Sequence, residues 1–263
     1  LFKNNGVVSD KSNNFTMNIS YSDMPRLPIL MYHNICEQSS QEKGLTISYD
    51  KLEAQFQYLV SQGYTSLHFG DIQKLKNTDD YPKKPIIITF DDVYLSQYEL
   101  AYPLLKKYNL KACFYAPFSY VGGFDIWNDG TETLMSVAQL KALDPDVVEL
   151  GLHSFEHRPY SSLSINMIQE DFKNCHEFIA KHDLNVCNVL AYPYGDFPRK
   201  EPSKSEFFNE LVRQKIAYGL RIGNRLNHIP IKNNYELNRL DIKGEDSLFL
   251  FKLNLKWGKR FLF

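Results

Sequence analysis

The sequence has no hydrophobic run approaching the roughly 18–20 residues that a membrane-spanning helix requires. Its most apolar stretches, at 85–90 and 247–251, stop after a few residues. It has no surplus of either charge, since 30 Lys and Arg stand against 31 Asp and Glu. That balance argues against a generic nucleic-acid binder, which carries a basic excess, and against a self-repelling disordered chain. Cysteine is scarce and unpatterned. Cys36, Cys113, Cys175 and Cys187 form no C-x-x-C pair, so neither a zinc ribbon nor a thioredoxin-type centre is expected. Their simplest role is as small buried apolar side chains. The first residues, Leu1-Phe2-Lys3-Asn4-Asn5, hold no apolar stretch of the kind a secretory signal needs. What remains suits a soluble globular chain of 263 residues, 43% hydrophobic, long enough for one large domain with a sizeable core.

Residues 1–24 are polar and aperiodic, and read as an arm or linker. From Pro25 onward, short β-branched or aromatic runs alternate with amphipathic stretches. Strands are predicted at 28–32, 65–67, 86–90, 112–117, 147–152, 186–191, 218–222 and 237–241. Between them, Leu52, Phe56, Leu59 and Val60 mark a helix after a Ser48 cap, with Gly63 as its stop. Leu100, Leu104, Leu105 and Tyr108 mark another, and Ser136 is placed to cap a third over 137–143. Ile165, Ile168, Phe172, Cys175, Phe178 and Ile179 make the longest stripe, and Leu211, Val212 and Ile216 a shorter one. This alternation predicts a parallel sheet with crossover helices, closed as a distorted barrel or open and doubly wound. The tail 248–263 mixes Leu, Phe and Trp with Lys252, Lys256, Lys259 and Arg260. It suits either packing on the domain or a basic amphipathic contact with a membrane or partner.

In such folds chemistry collects at the carboxyl ends of strands. The run 86–90 ends in Asp91-Asp92, two carboxylates that each need a partner or a metal. The run 147–152 ends in His153-Ser154-Phe155-Glu156-His157, whose imidazoles converge on one ion if the segment makes a helical turn. The first strand ends in His33, and the strand finishing near Ala191 enters a Tyr192-Pro193-Tyr194-Gly195 turn. Together these supply an Asp/His/His metal set, a spare carboxylate, a spare imidazole and backbone amides for an oxyanion. That is the inventory for metal-assisted hydrolysis of an acyl group. Trp127 falls in a loop, where it either flanks a sugar ring or packs structurally. His68, His176 and His182 have no partners at metal-ligand spacing and are assigned no role.

Thr89-Phe90-Asp91-Asp92, His153-Ser154-Phe155-Glu156-His157 and Tyr192-Pro193-Tyr194-Gly195 resemble, in order and spacing, the polysaccharide deacetylases of carbohydrate esterase family 4, the NodB-homology domain. Leu30-Met31-Tyr32-His33-Asn34-Ile35 is similar to the opening strand of the branch containing the poly-N-acetylglucosamine deacetylases. The resemblance covers residues 25–241. It implies an α/β fold, a distorted (β/α) barrel of the NodB type in a single domain over 25–263. It also implies one divalent ion on Asp92, His153 and His157, most plausibly zinc, with cobalt, nickel or manganese as alternatives. By motif position Asp91 is the base, and the Tyr194 backbone N–H meets the oxyanion.

The sequence departs from the family in three places. The arginine that usually orients the catalytic carboxylate is replaced by Ala191, leaving Arg221, Arg225 and Arg239 as candidates for its role. No late L-x-H motif is visible, so the acid falls to His33, approaching from the side opposite Asp91, with His228 as the alternative. The proline that normally follows the second histidine is displaced to Pro159 by Arg158. The expected partner is an N-acetylated glycan of the cell envelope, in an extracytoplasmic setting. A deformylase or O-acetyl esterase on a lipid-linked sugar, or a catalytically silent carbohydrate-binding relative, would retain most of the same residues.

Overall fold

The computed structural model describes residues 25–259. The arm expected over 1–24 and the last four residues of the tail lie outside the described residues. Seven parallel strands form a ring: β1 (Ile29–Tyr32), β2 (Pro85–Asp91), β3 (Ala112–Ala116), β4 (Val148–Leu152), β5 (Val186–Ala191), β6 (Tyr218–Ile222) and β7 (Leu237–Asp241). Each pairs with its successor, and β7 pairs with β1, which closes the barrel. The closed, distorted (β/α) barrel is therefore the architecture, and the open doubly wound sheet is not. The remaining predicted strand shrinks to Thr65–Ser66 and pairs only with the first two residues of β2, outside the ring.

The helices are α1 (Tyr49–Ser61), α2 (Phe69–Lys74), α3 (Tyr102–Lys107), α4 (Val137–Ala142), α5 (Ile165–His182), α6 (Ser203–Arg213) and α7 (Leu248–Trp257). Ser48 and Ser136 cap α1 and α4, each Oγ accepting from the backbone N–H three residues on at 3.3 Å. The α5 stripe buries Ile168, Phe172 and Cys175. The stripe expected around Leu211 is shorter than its spacing implied, because Lys215 takes a φ of 58° and Ile216 lies beyond the helix. The four cysteines are free, with Cys113 and Cys175 buried. Among the described residues no helix is long and apolar enough to cross a membrane.

Strand parity positions the site. In β2, Ile86, Ile88 and Phe90 face outward into the core beneath the helices, while Ile87 faces the barrel interior with Ile29, Cys113, Tyr115, Val189, Leu220 and Leu237. Each fully buried isoleucine contributes roughly 1.5–3 kcal/mol relative to exposure. Tyr115 fills the lumen so closely that a Cβ at position 151 would collide with its ring, which is why β4 carries Gly151 there. Followed to the carboxyl ends of β1, β2 and β4, the same inward parity reaches His33, Asp91 and His153.

Candidate active site

Register brings these residues to one mouth. β1 and β2 pair Ile29 with Ile87 through Tyr32 with Phe90, so His33 and Asp91 occupy the next rung. His33 Nε2 lies 3.7 Å from Asp91 Oδ2. His33 therefore flanks Asp91 on the adjacent strand, and the expected approach from the opposite side is corrected: neighbouring in-register strands leave no other placement. Buried Gln97 ties the two strand ends, its Nε2 donating to the carbonyls of His33 at 2.9 Å and Asp91 at 2.6 Å. After Asp91 the backbone turns sharply, with φ of 76° at Asp92 and 50° at Val93. Such conformations cost a non-glycine residue on the order of 1–2 kcal/mol. Here they swing the second carboxylate toward the histidines.

The segment after β4 is not a helical turn. Ser154 and His157 have φ of 66° and 54°, and the loop is fixed instead by side chains. His157 N donates to Ser154 Oγ at 2.8 Å, and Phe155 N donates to Asp171 Oδ1 at 2.9 Å. Tyr160 Oη secures the same carboxylate, donating to Oδ2 at 2.9 Å. This brings the two imidazoles together, with Nε2 atoms 3.2 Å apart.

Asp92 Oδ1 stands 3.4 Å from His153 Nε2 and 3.2 Å from His157 Nε2. A tetrahedral zinc with bonds of about 2.0–2.1 Å would hold its ligand atoms about 3.3 Å apart. The buried triangle fits that ion. Asp92 Oδ1 is also buried without a hydrogen-bond donor. The tautomers agree. His153 Nδ1 lies 2.7 Å from the Ala191 carbonyl, which only accepts, so Nδ1 carries the proton and Nε2 keeps its lone pair. His157 Nδ1 lies 3.3 Å from Tyr194 Oη, a hydroxyl that can accept from it and so permits the same tautomer. Burial, opposed in part by Asp91, pushes the His153 pKa down to about 4, keeping the ring neutral as a ligand must be.

Arg239 takes the place of the missing motif arginine. Fully buried on the inward parity of β7, it crosses the lumen to donate from Nη1 to Asp91 Oδ1 at 2.6 Å and from Nη2 to Oδ2 at 2.7 Å. Burial alone would raise the Asp91 carboxyl. The charges of Arg239, His153 and His33 outweigh it and hold the group well below the usual carboxylate range. Arg221 lies instead 4.0 Å from Glu236.

Tyr194 sits at the mouth in a left-handed turn with φ of 59°, while the Gly195 and Asp196 amides are spent on Tyr192 and Pro193 carbonyls. Trp127 stacks on the His157 imidazole with ring centres 4.4 Å apart, so it belongs to the site wall. His228 is elsewhere. It pairs with Arg26 in a short ladder just before β1, at the amino-terminal end of the barrel. Gln97, Asp171 and Tyr94 were not anticipated. Burial first, then the charges of Asp92, Asp125 and Glu132, raises the Tyr94 phenol and keeps it neutral beside the site. No signal in the sequence marks them: Gln97 stands near Ser96 and Glu99, and Asp171 between Glu170 and Lys173 in a mixed segment.

Residues 78–206 match the family model described as polysaccharide deacetylase, which bears out the resemblance read from the motifs. A poly-beta-1,6-N-acetyl-D-glucosamine N-deacetylase of Staphylococcus epidermidis is 22% identical over 83% of this chain and 75% of its own length. YxkH of Bacillus subtilis is 26% identical over 65% of this chain, and the match spans 58% of that relative's length. Solved structures share the fold, and two of them illustrate it. The Streptococcus pyogenes deacetylase PplD, in complex with acetate, superposes with a TM-score of 0.71 at 22% identity, covering 88% of this chain and 99% of its own. IcaB from Ammonifex degensii superposes with a TM-score of 0.70 at 21% identity, covering 88% and 97%.

Proposed function

For a chain that carries a polysaccharide deacetylase domain on a NodB-type barrel, we propose a metal-dependent hydrolase that removes N-acetyl groups from hexosamine residues of a cell-envelope polysaccharide. The observation that carries this reading is the buried triangle of Asp92, His153 and His157 beside a second carboxylate, Asp91, that is paired to Arg239 and is not one of the three ligands. Two imidazoles and one carboxylate suit zinc, with cobalt, nickel or manganese as alternatives. When bound, the ion supplies Lewis-acid polarisation of the amide carbonyl and acidifies a water.

The chain's own groups do the rest. Asp91 Oδ2 accepts the proton of the attacking water, and Arg239 keeps that oxygen aimed into the mouth. The pairing lowers the basicity of Asp91, so its task is a short proton transfer to an oriented oxygen and not deprotonation of bulk water. His33, facing the same oxygen, delivers a proton to the departing amine. The Tyr194 backbone N–H donates to the developing oxyanion. Trp127 and Tyr194 flank His157 and exclude water from one side of the pocket.

An N-acetyl substrate is supported by the N-deacetylase activity that the Staphylococcus epidermidis relative is named for. Mass spectrometry tests the choice. Metal-loaded protein is incubated with acetylated glucosamine oligomers, an O-acetylated glycan and an N-formylated aminosugar lipid. Acetate release with a free amine on the oligomers is expected. Deformylation or ester cleavage with the oligomers untouched would assign the same site to the other substrate, and no turnover on any of them would favour a silent binding protein.

A further inference from the structure

The amino-terminal end of the barrel carries a second surface with its own chemistry. Arg26, Lys83, Lys84, Lys252 and Lys256 line a groove there, and no acidic side chain lines it. Among the described residues none of these five cations pairs with a carboxylate. Four of them rest on aromatic rings instead, with Lys252 Nζ 4.8 Å from the Tyr58 ring centre, Lys84 Nζ 5.7 Å from Tyr64, and Arg26 Cζ and Lys256 Nζ 5.6 and 4.9 Å from Trp257. Arg26 and Lys84 also donate to the Lys256 and Gln62 carbonyls. One wall of this groove is α7. Its inner edge buries Phe251 and Leu255 in the domain, so the packing reading of the tail holds for that side. Its outer edge leaves Phe249, Leu250 and Trp257 respectively 71%, 36% and 48% exposed. Phe249, Leu253 and Trp257 recur at every fourth residue and form one stripe, bordered by Lys252 and Lys256. The helix holds no acidic residue.

An apolar stripe beside a cluster of cations is matched on both counts only by a partner that is apolar and anionic together. A soluble polyanion would neutralise the lysines and leave the stripe in water. A second copy of the chain would bring cations against cations. We propose that this face docks on a bilayer containing anionic phospholipid, the lysines meeting headgroups and the stripe entering the headgroup–acyl boundary. Arg26, Lys83 and Lys84 precede β1 and β2, whose far ends carry His33 and Asp91. The seven residues of β2 thus separate surface and site by roughly 20 Å at about 3.3 Å per residue, and the mouth faces away from the membrane toward a polymer.

The test is co-sedimentation of the full chain with phosphatidylcholine vesicles, with and without phosphatidylglycerol. Binding should be at least about tenfold stronger to the acidic vesicles and should weaken with salt. The Lys83→Gln, Lys84→Gln, Lys252→Gln, Lys256→Gln variant should lose about tenfold, as should Phe249→Ser, Trp257→Ser. Both should keep wild-type hydrolysis of a soluble acetylated oligosaccharide, a control independent of vesicle binding. If Trp257→Ser unfolds the chain, Phe249→Ser alone reads the stripe. Equal binding to neutral vesicles overturns the proposal. So does binding of inorganic polyphosphate with vesicle binding indifferent to Phe249→Ser, which would make the groove a polyanion site. A dimer in solution abolished by the same variants would assign the face to a second copy.

Discussion

Arg239 and Asp91 share two parallel hydrogen bonds inside the barrel, and each depends on the other for its burial. Removing the guanidinium strands a buried carboxylate, a loss that costs about 3–5 kcal/mol. Arg239→Met is therefore expected to lower the urea midpoint sharply and to cut kcat by about 10²-fold through misplacement of Asp91. Arg239→Lys retains the charge without the fork, so its kcat should fall with a smaller loss of stability. Normal kcat in Arg239→Met would show that Asp91 needs no orienting partner. His33→Ala should lower kcat by roughly 10²–10⁴, the usual range for a general acid or base. His228→Ala, altered at the other end of the barrel, should be nearly silent, and steady-state kinetics of the pair would reverse the assignment if the effects were exchanged. Asp91, Asp92 and the two histidines were legible because each follows an apolar strand directly. Arg239 was legible only in part: strand alternation turns it inward, but only the closing of β7 onto β1 aims it at Asp91.

At the scale of the element, alternation along each strand decided most of what could be read. Ile86, Ile88 and Phe90 against Ile87 fix which way Asp91 points, and the same period in Leu237-Asn238-Arg239 places the arginine inward. The turn after β4 obeyed no such period. Its shape depends on Asp171, a residue on α5 fourteen positions after His157 in the sequence. Asp171→Ala should free the Phe155 amide and loosen His157, lowering metal affinity by about 10–100-fold, the usual effect of losing a group that orients a ligand. Metal titration of the variant checks this, and unchanged affinity would show that the turn holds itself. The helix caps at Ser48 and Ser136 were legible because capping is local. The end of α6 was not, because Lys215 adopts its left-handed turn where no glycine announces one.

Across the whole molecule, closure was only half legible. Eight strand candidates suggested a barrel, yet sequence could not say which would stay outside the ring, since that depends on Thr65–Ser66 pairing at the edge of β2. The closed ring concentrates titratable groups in its interior, and stability should register them. In metal-free protein His153 resists protonation down to about pH 4, whereas an unfolded histidine takes its proton near 6.5. Between those values the unfolded chain binds the proton that the folded chain refuses, so stability falls as pH drops from about 6.5 toward 4. The urea midpoint should thus be lower at pH 5 than at pH 7, with a smaller difference in His153→Gln; equal differences would remove His153 as the cause.

The role of Asp91 as base beside an independent metal triangle is tested most directly in Asp91→Asn, by metal analysis and acetate release on one preparation loaded with zinc. One ion per chain with acetate release abolished is the expected result, since Asp92, His153 and His157 remain to hold the ion while the proton acceptor is gone. Near-normal acetate release, or loss of the ion together with activity, would contradict it.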